Sequence, residues 1–249
     1  SVGPSQPCFE PFAILAAAAQ RTRRLRLGAM VFAPARRRPL AFAQQVATVD
    51  HLSAGRLVVP VGLGAAEDAG FTKVSGEAES ARERGELLDE SLAVLDLAAA
   101  GGTFSFPGEH HQLSDVTLVP PPVQRPRVPV WVVGAWPSER SMRRAARWDG
   151  VVLQLLQSFE EPSPDQVADV VSWVGEERER LRADGVELGP RYDVVVSGRL
   201  PDDPDAAAER IDGLAAAGAT WWVEARWTPQ DTAADLLERV RRGPVPGRA

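Results

Sequence analysis

Three short stretches of this chain carry residue types that could hold or transform a ligand. The first is Thr48–Gly64, TVDHLSAGRLVVPVGLG. It reads as a helix end, a tight Ser-Ala-Gly turn, a short buried strand and a Gly-x-Gly exit. Gly62 and Gly64, with Leu63 between them, leave the C-terminal end of a strand without side chains, so a flat ligand can lie against bare backbone. The second is Gly134-Ala135-Trp136-Pro137-Ser138, with Ser141 one helical turn further on. Free N–H groups and the dipole at a helix start suit a phosphate, and Ser138 or Ser141 can donate to it. The same serines also suit helix initiation with no ligand. The third is Glu67-Asp68, two carboxylates just beyond the Gly-x-Gly exit, which read either as acid–base groups or as part of a solvated loop.

Other reactive residue types are sparse. The histidines are His51, His110 and His111, and no pair of them has metal-site spacing with a third ligand, so no metal is expected and a structural role is assigned to each. The single cysteine, Cys8, excludes an internal disulfide and a Cys-based zinc site. Arg36-Arg37-Arg38 reads as a solvated loop. Trp131, Trp148 and Trp173 read as core or helix-packing residues. Trp136 is a candidate cover for a ligand, and Glu224, at the end of the last strand, is a candidate polar group facing a substrate pocket.

These residues need elements to position them. Helices are expected over 11–22, 39–52, 81–100, 138–148, 164–184, 204–217 and 233–242, from apolar spacing and from prolines at their starts. In the helix over 81–100, Leu87, Leu88, Leu92, Leu95 and Leu97 are assigned to the apolar face. Six principal strands are expected at 25–31, 56–61, 130–133, 151–155, 192–197 and 220–224. Residues 67–79 read as a polar excursion with a short helical piece, and 101–118 as a hairpin. Strands alternating with helices imply a parallel sheet with helices outside it, an α/β protein whose ligands sit at the C-terminal strand ends. A doubly wound dinucleotide fold would also take six strands, but the Gly-x-Gly at 62–64 lacks the third glycine of that fingerprint.

Composition sets the bounds. The chain has 249 residues, 25% charged and 44% hydrophobic, enough for one sizeable core. Its net charge of −6 argues against a nucleic-acid or anionic-membrane partner. No apolar run is long enough to span a bilayer, and the first residues lack the pattern of a secretory leader, so a cytoplasmic location is expected.

With the strands placed, the chain resembles the bacterial luciferase-like family of flavin-dependent monooxygenases and deazaflavin-dependent reductases. RTRRLRLGAMV is similar to the family's T-x-R-I-R-L-G, and LAFAQQVATVDHLSAGRLVVPVGLG to its A-T-L-D-x-L-S-G-G-R…G-x-G segment. RERGELLDESLAVL is similar to R-x-x-x-L-x-E-x-L-x-V-L. FPGEHHQL followed by PPPVQRPRVPVWVVG is similar to G-x-x-Y-x-L…P-x-P-x-Q-x-P-x-P-x-W-V-G-G, and RRAARWDGVV to R-x-A-A-x-x-A-D-G. In series these cover the chain to about Ala225.

The resemblance implies a TIM (β/α)8-type barrel with an insertion after its fourth strand, here 65–118, in a single domain over 1–249. The six strands become barrel strands three to eight, so the chain reads as an incomplete barrel without counterparts of its first strand, first helix and second strand. It also implies FMN or the deazaflavin F420 as cofactor. The ring would lie over a bulge in barrel strand three, at Ala29-Met30, where a non-proline cis peptide is often seen. Gly62, Leu63 and Gly64 would line it. Gly134, Ala135, Trp136, Ser138 and Ser141 would complete the cofactor site, and Trp136 and Glu224 would face the substrate pocket. No catalytic acid or base is assigned: Ala65 and Ala66 stand where many deazaflavin-dependent members have a carboxylate, and the family's frequent catalytic histidine follows the second barrel strand. The expected reaction is oxygenation of a small organic molecule by reduced FMN and O2. Hydride transfer with F420 is the alternative, a truncated non-catalytic flavin-binding or scaffold protein a second, and an unrelated barrel enzyme with a phosphate ligand near Gly134–Ser138 a third. A flavin reductase as electron donor and a homodimer are the partners the family suggests.

Overall fold

The computed structural model of the protein describes residues 9–65, 69–156, 158, 160–226 and 231–245. The chain divides into two compact units, the first ending at Trp131 and the second beginning at Val132.

The first unit opens with helix α1, Pro11–Arg21. Glu10 caps it by accepting the Ala13 N–H at 2.8 Å, and Pro11 fills the position whose N–H no helix uses. Phe12, Leu15 and Ala19, one stripe at helical spacing, are buried. Phe12 stacks on Phe32 with ring centroids 4.5 Å apart, and Phe42 meets both rings edge-on. Phe42 belongs to helix α2, Pro39–Ser53, which ends in a left-handed residue, Ala54, followed by Gly55.

The expected strand over 25–31 does not form as a continuous strand. The segment touches its neighbour through two parallel bridges, Leu27 with Leu57 and Phe32 with Val61. Between those bridges Gly28 passes so close that a Cβ there would lie 3.1 Å from the Val58 carbonyl oxygen. The strand expected over 56–61 is correspondingly short: β1 is Val59–Val61. The polar excursion contains helix α3, Ala69–Thr72, and helix α4 runs over Ala81–Ala100 as expected. Its buried stripe is Leu88, Ser91, Leu92, Val94, Leu95 and Ala98, while Leu97 points outward, 37% exposed. Leu97 lies two positions beyond Leu95, which at helical pitch is the opposite face. Strands β2, Thr103–Pro107, and β3, Gln112–Thr117, form the expected antiparallel hairpin.

Three polar staples tie the recognised motifs of this unit to one another. The Asp50 carboxylate accepts from Val123 and Gln124. Arg56 donates to carbonyls of Ala19, Thr22, Leu25 and Ser53 and to the Thr22 hydroxyl, satisfying acceptors at the end of α1. Glu90 accepts three successive backbone N–H groups, of Glu109, His110 and His111, at the hairpin turn. The arginine run is not merely solvated: the Arg36 guanidinium lies 5.2 Å from the Phe71 ring centre, and Arg37 lies 5.3 Å from Phe12 while pairing with Glu10.

The second unit is a parallel sheet with helical crossovers. Strand β4, Val130–Trp136, leads into helix α5, Glu139–Ala146. Strand β5, Gly150–Leu155, is followed by helix α6, Pro164–Ala183, whose start is a capping box of Ser163 and Gln166. Strand β6, Asp193–Gly198, helix α7, Pro204–Ala216, strand β7, Trp221–Glu224, and helix α8, Ala233–Arg242, complete it. The order in the sheet is β4-β5-β6-β7. β5 pairs in parallel with β6, and β6 with β7. The apolar runs Val151-Val152-Leu153 and Val194-Val195-Val196 are buried, as strands covered on both faces require. Arg178 of α6, itself buried, donates to the Ala146, Trp148 and Gly189 carbonyls and so ties that helix to the lower loops.

Candidate active site

In the first unit the strand exit is built from the backbone of two neighbouring segments. The Gly62 N–H donates to the Phe32 carbonyl at 3.0 Å, as the Phe32 N–H donates to Pro60 at 2.9 Å. Ala29 and Met30 lie between the two bridges, half-buried. The cis peptide joins Met30 to Val31, one bond later than the resemblance implies. Gly64 has φ +76°, a backbone state that favours glycine. The space its side chain would occupy is not open to a ligand. A Cβ there would lie 2.5 Å from the Phe71 ring and 3.2 Å from the Ala33 Cβ. Phe71 is fully buried, with the Arg84 guanidinium 5.0 Å from its ring centre in addition to Arg36. The bareness of Gly64 therefore serves the core, and only its backbone is left for a ligand. Cys8, Glu67 and Asp68 lie outside the described residues.

In the second unit Gly134, Ala135, Trp136, Ser138 and Ser141 do come together, at the β4–α5 junction. Gly134 is again a packing glycine: a Cβ would lie 2.6 Å from Val151 Cγ2 and 2.7 Å from Met142 Sδ. Ala135 continues the strand and has no positive φ. The Ser141 hydroxyl turns back to the strand end, accepting the Ala135 N–H at 3.0 Å and donating to the Val133 carbonyl at 3.3 Å. Ser138 stands at the N-cap position of α5, but its side chain makes no capping bond. Of the two serines, Ser138 is the one whose hydroxyl the helix start does not use. Trp136 meets Trp173 edge-to-face at 6.4 Å.

Glu224 has partners of its own on and beyond β7. Its carboxylate accepts from the Leu200 N–H and the Trp222 indole N–H, each at 3.2 Å, and from Arg226 at 2.9 Å, with Arg239 at 3.7 Å. It borders an apolar cleft of about 450 Å³ between β7 and α8, lined also by Leu200, Ile211, Leu236 and Val240. Trp136 is absent from that lining, so the expectation that Trp136 and Glu224 flank one pocket is not met there.

The cavity at the C-terminal strand ends lies elsewhere. It measures about 540 Å³ and is lined by residues at the ends of β5, β6 and β7, among them Gln154, Ser158, Glu161, Ser197, Arg199 and Arg226. Sequence reasoning missed Glu161. Its carboxylate accepts the Arg199 N–H and pairs with Arg210 of α7. It lies directly on Gly198, where any Cβ would fall on the carboxyl group. The glycine closing β6 was the available signal, since a strand ending in glycine marks a close approach.

The histidines are held structurally. His51 Nε2 donates to the Pro121 carbonyl at 2.8 Å, and His110 Nε2 lies 3.3 Å from Glu86. His111 is half-buried at the hairpin turn, and loss of water around it lowers its pKa. Among the described residues no group of three or more His, Cys, Asp or Glu side chains is placed to hold a metal ion. None of the described helices is long and apolar enough to cross a membrane.

Comparison with known proteins gives a consistent picture. The family model described as luciferase-like monooxygenase matches residues 1–243. The uncharacterized protein y4wF of Sinorhizobium fredii (strain NBRC 101917 / NGR234) is 33% identical over 139 residues, which is 55% of this chain and 37% of that relative. This chain therefore aligns with well under two thirds of that relative's length. An F420-dependent secondary alcohol dehydrogenase, solved with an F420-acetone adduct, superposes with a TM-score of 0.71 at 17% identity, covering 89% of this chain and 80% of its own. The oxygenating constituent of 3,6-diketocamphane monooxygenase from the CAM plasmid of Pseudomonas putida, a type II Baeyer-Villiger monooxygenase solved with FMN, superposes with a TM-score of 0.61 at 16% identity, covering 80% of this chain and 56% of its own. At these identities the superpositions establish the fold.

Proposed function

We propose, from the premise that this chain belongs to the luciferase-like monooxygenase family, that it is an oxidoreductase acting on a small organic molecule with reduced FMN and O2. The observation that carries this reading is the family match over residues 1–243. A cavity at the C-terminal ends of β5, β6 and β7 supports it, because parallel α/β proteins keep their sites at that end. Ala65 and Ala66, directly after Gly64, stand where the resemblance puts a carboxylate in many deazaflavin-dependent members, which weakens that one F420 arrangement.

The described residues fit such a cofactor at one point and limit it at another. Ser138, unused by the start of α5, is suited to a phosphate together with the helix N–H groups. Gly64 and Gly134 offer backbone only, because their side-chain directions are filled from within, and Gly62, Leu63 and Ala135 are the proposed contacts beside them. Ala29 and Met30 are the proposed contacts for the ring and Trp136 its cover. When bound, the cofactor supplies the redox chemistry. The protein's part is to orient substrate and to keep water out, and the barrel with an insertion at 65–118 is the proposed setting. A separate flavin reductase and a second copy of the chain are the proposed partners.

The test is a binding titration of the purified protein with FMN and with F420, each followed by its absorbance, then turnover with reduced FMN in air. Saturable FMN binding and oxygen-dependent turnover are expected. F420 binding with hydride transfer in the absence of O2 would overturn the monooxygenase reading. Failure to bind either cofactor would overturn the enzyme reading as a whole.

A further inference from the structure

Two guanidinium groups among the described residues border the cavity at the ends of β5, β6 and β7, and each is matched by a carboxylate. Arg226 pairs with Glu224 at 2.9 Å, and Arg199 pairs with Asp231 at 3.2 Å. Glu161 lines the same cavity and is matched in turn by Arg210 of α7, and this pairing has the form of an occupied anion seat. A backbone N–H at the end of β6, from Arg199, donates to one carboxylate oxygen at 2.5 Å. The Arg210 guanidinium donates to the other at 2.5 Å. Gly198 forms the floor, with no Cβ to keep the carboxylate off the backbone. Strand-end amide, guanidinium and bare glycine together are a general recipe for holding a carboxylate or phosphate. Here the occupant comes from the chain itself, 38 positions away from Arg199. The Arg210 Nε is buried and has no hydrogen-bond partner, so the guanidinium keeps one donor beyond those Glu161 uses.

We infer that Glu161 determines ligand selection in this cavity. With its carboxylate seated on Gly198, the seat is closed to other anions, and the part of the ligand that enters the cavity is uncharged, met by Gln154, Ser158 and Ser197. Removing the carboxylate converts the same place into a site for small anions. The inference rests on the reading of this cavity as a ligand site, but the seat itself is testable without any cofactor.

The experiment compares the wild-type chain with Glu161→Ala, using acetate and inorganic phosphate as probes. Thermal midpoint and exchange of the Arg199 amide are followed. In Glu161→Ala the Arg199 amide is expected to exchange at least about tenfold faster, the fold-change one charge-assisted hydrogen bond carries. Acetate is expected to restore both its protection and the thermal midpoint saturably, while the wild type responds to neither probe. Should Glu161→Ala not fold, Glu161→Gln keeps an acceptor for the Arg199 amide and removes only the charge. It is expected to fold and to bind phosphate through Arg210. Gly198→Ala, which evicts the carboxylate without deleting it, is expected to lose Arg199 amide protection and not to regain it with acetate. Saturable acetate binding by the wild type, or a folded Glu161→Ala with unchanged Arg199 exchange and no acetate response, would overturn the inference. Absence of FMN and F420 binding would overturn the proposed function and leave the acetate result standing.

Discussion

Asp50 and Gln124, 74 positions apart, hold each other by backbone and side chain together. Asp50 Oδ2 accepts the N–H groups of Val123 at 2.7 Å and Gln124 at 3.0 Å, and Oδ1 accepts the Gln124 side-chain amide at 2.8 Å. The same amide donates to the Leu57 carbonyl at 2.8 Å. Asp50 is fully buried. Asp50→Ala leaves two main-chain N–H groups, and the Gln124 amide hydrogen not used by Leu57, without their acceptor and is expected to cost about 3 kcal/mol. Urea unfolding of the two proteins measures it. A loss under about 1 kcal/mol would mean the staple is redundant.

Ala54 closes α2 at φ 53° and ψ 50°, where the resembling family motif has glycine. An L-residue in that conformation carries a steric cost, while glycine in the unfolded chain has more freedom to lose. The first effect outweighs the second at a left-handed cap, so Ala54→Gly is expected to stabilise the protein by about 0.5–1 kcal/mol. A rise in thermal midpoint is the readout.

Gly64→Ala is expected to act in the opposite direction. The new methyl meets the Phe71 ring, which is fully buried and flanked by two guanidinium groups, and φ is +76°. Overpacking and left-handed strain together are expected to cost about 2–4 kcal/mol. Gly64→Ala combined with Phe71→Leu should recover part of that loss in a double-mutant cycle.

Tyr192 is the chain's one tyrosine, so an alkaline absorbance titration reports on it alone. Burial raises its pKa well above the usual phenol value, outweighing the nearby Arg178, whose guanidinium lies 4.6 Å from the ring centre. The folded protein is therefore expected to show no tyrosinate signal near pH 10, with the signal appearing on unfolding. Its buried hydroxyl has no hydrogen-bond partner, so Tyr192→Phe should leave stability unchanged or raise it.

His111 gives the hairpin a pH dependence. Its folded pKa is lowered, first by burial, with Glu90 opposing and His110 and Arg38 adding. The neutral form is the one the fold favours, so its contribution is whole above the unfolded value near 6.5 and is lost as pH falls through the folded value. Lower protection of the hairpin-turn amides, relative to the intrinsic exchange rate at each pH, is expected as pH falls below the unfolded value of about 6.5, and His111→Gln should flatten that dependence.

The sequence carried the helices well because their signals are local. Pro11, Pro39, Pro164 and Pro204 stand at helix starts, and the boundaries expected over 81–100 and 233–242 are the observed ones. The segment over 25–31 looked like a strand because LRLGAMV is apolar. It makes only two parallel bridges to its neighbour, with Gly28 packed against the Val58 carbonyl between them, which no apolar count reveals. The glycines were legible as special positions, but not what fills the space above them. Phe71 at Gly64 and Met142 with Val151 at Gly134 come from elsewhere in the chain, and a ligand would leave the same sequence trace. Glu161 escaped because its partners lie 38 and 49 positions away, within no motif.

The carboxylate of Glu90 reaches the β2–β3 turn only through main-chain N–H groups, with Gly108 leaving it room. The side chains of Glu109, His110 and His111 are thus no part of what fastens the hairpin to α4 through Glu90. Loop length and one glycine are the fixed terms of that attachment, while His110 adds a side-chain contact of its own to Glu86 on the same helix. The hairpin is in this sense a platform whose Glu90 anchor reads the shape of the chain, so a change of side chain at Glu109 leaves that anchor in place.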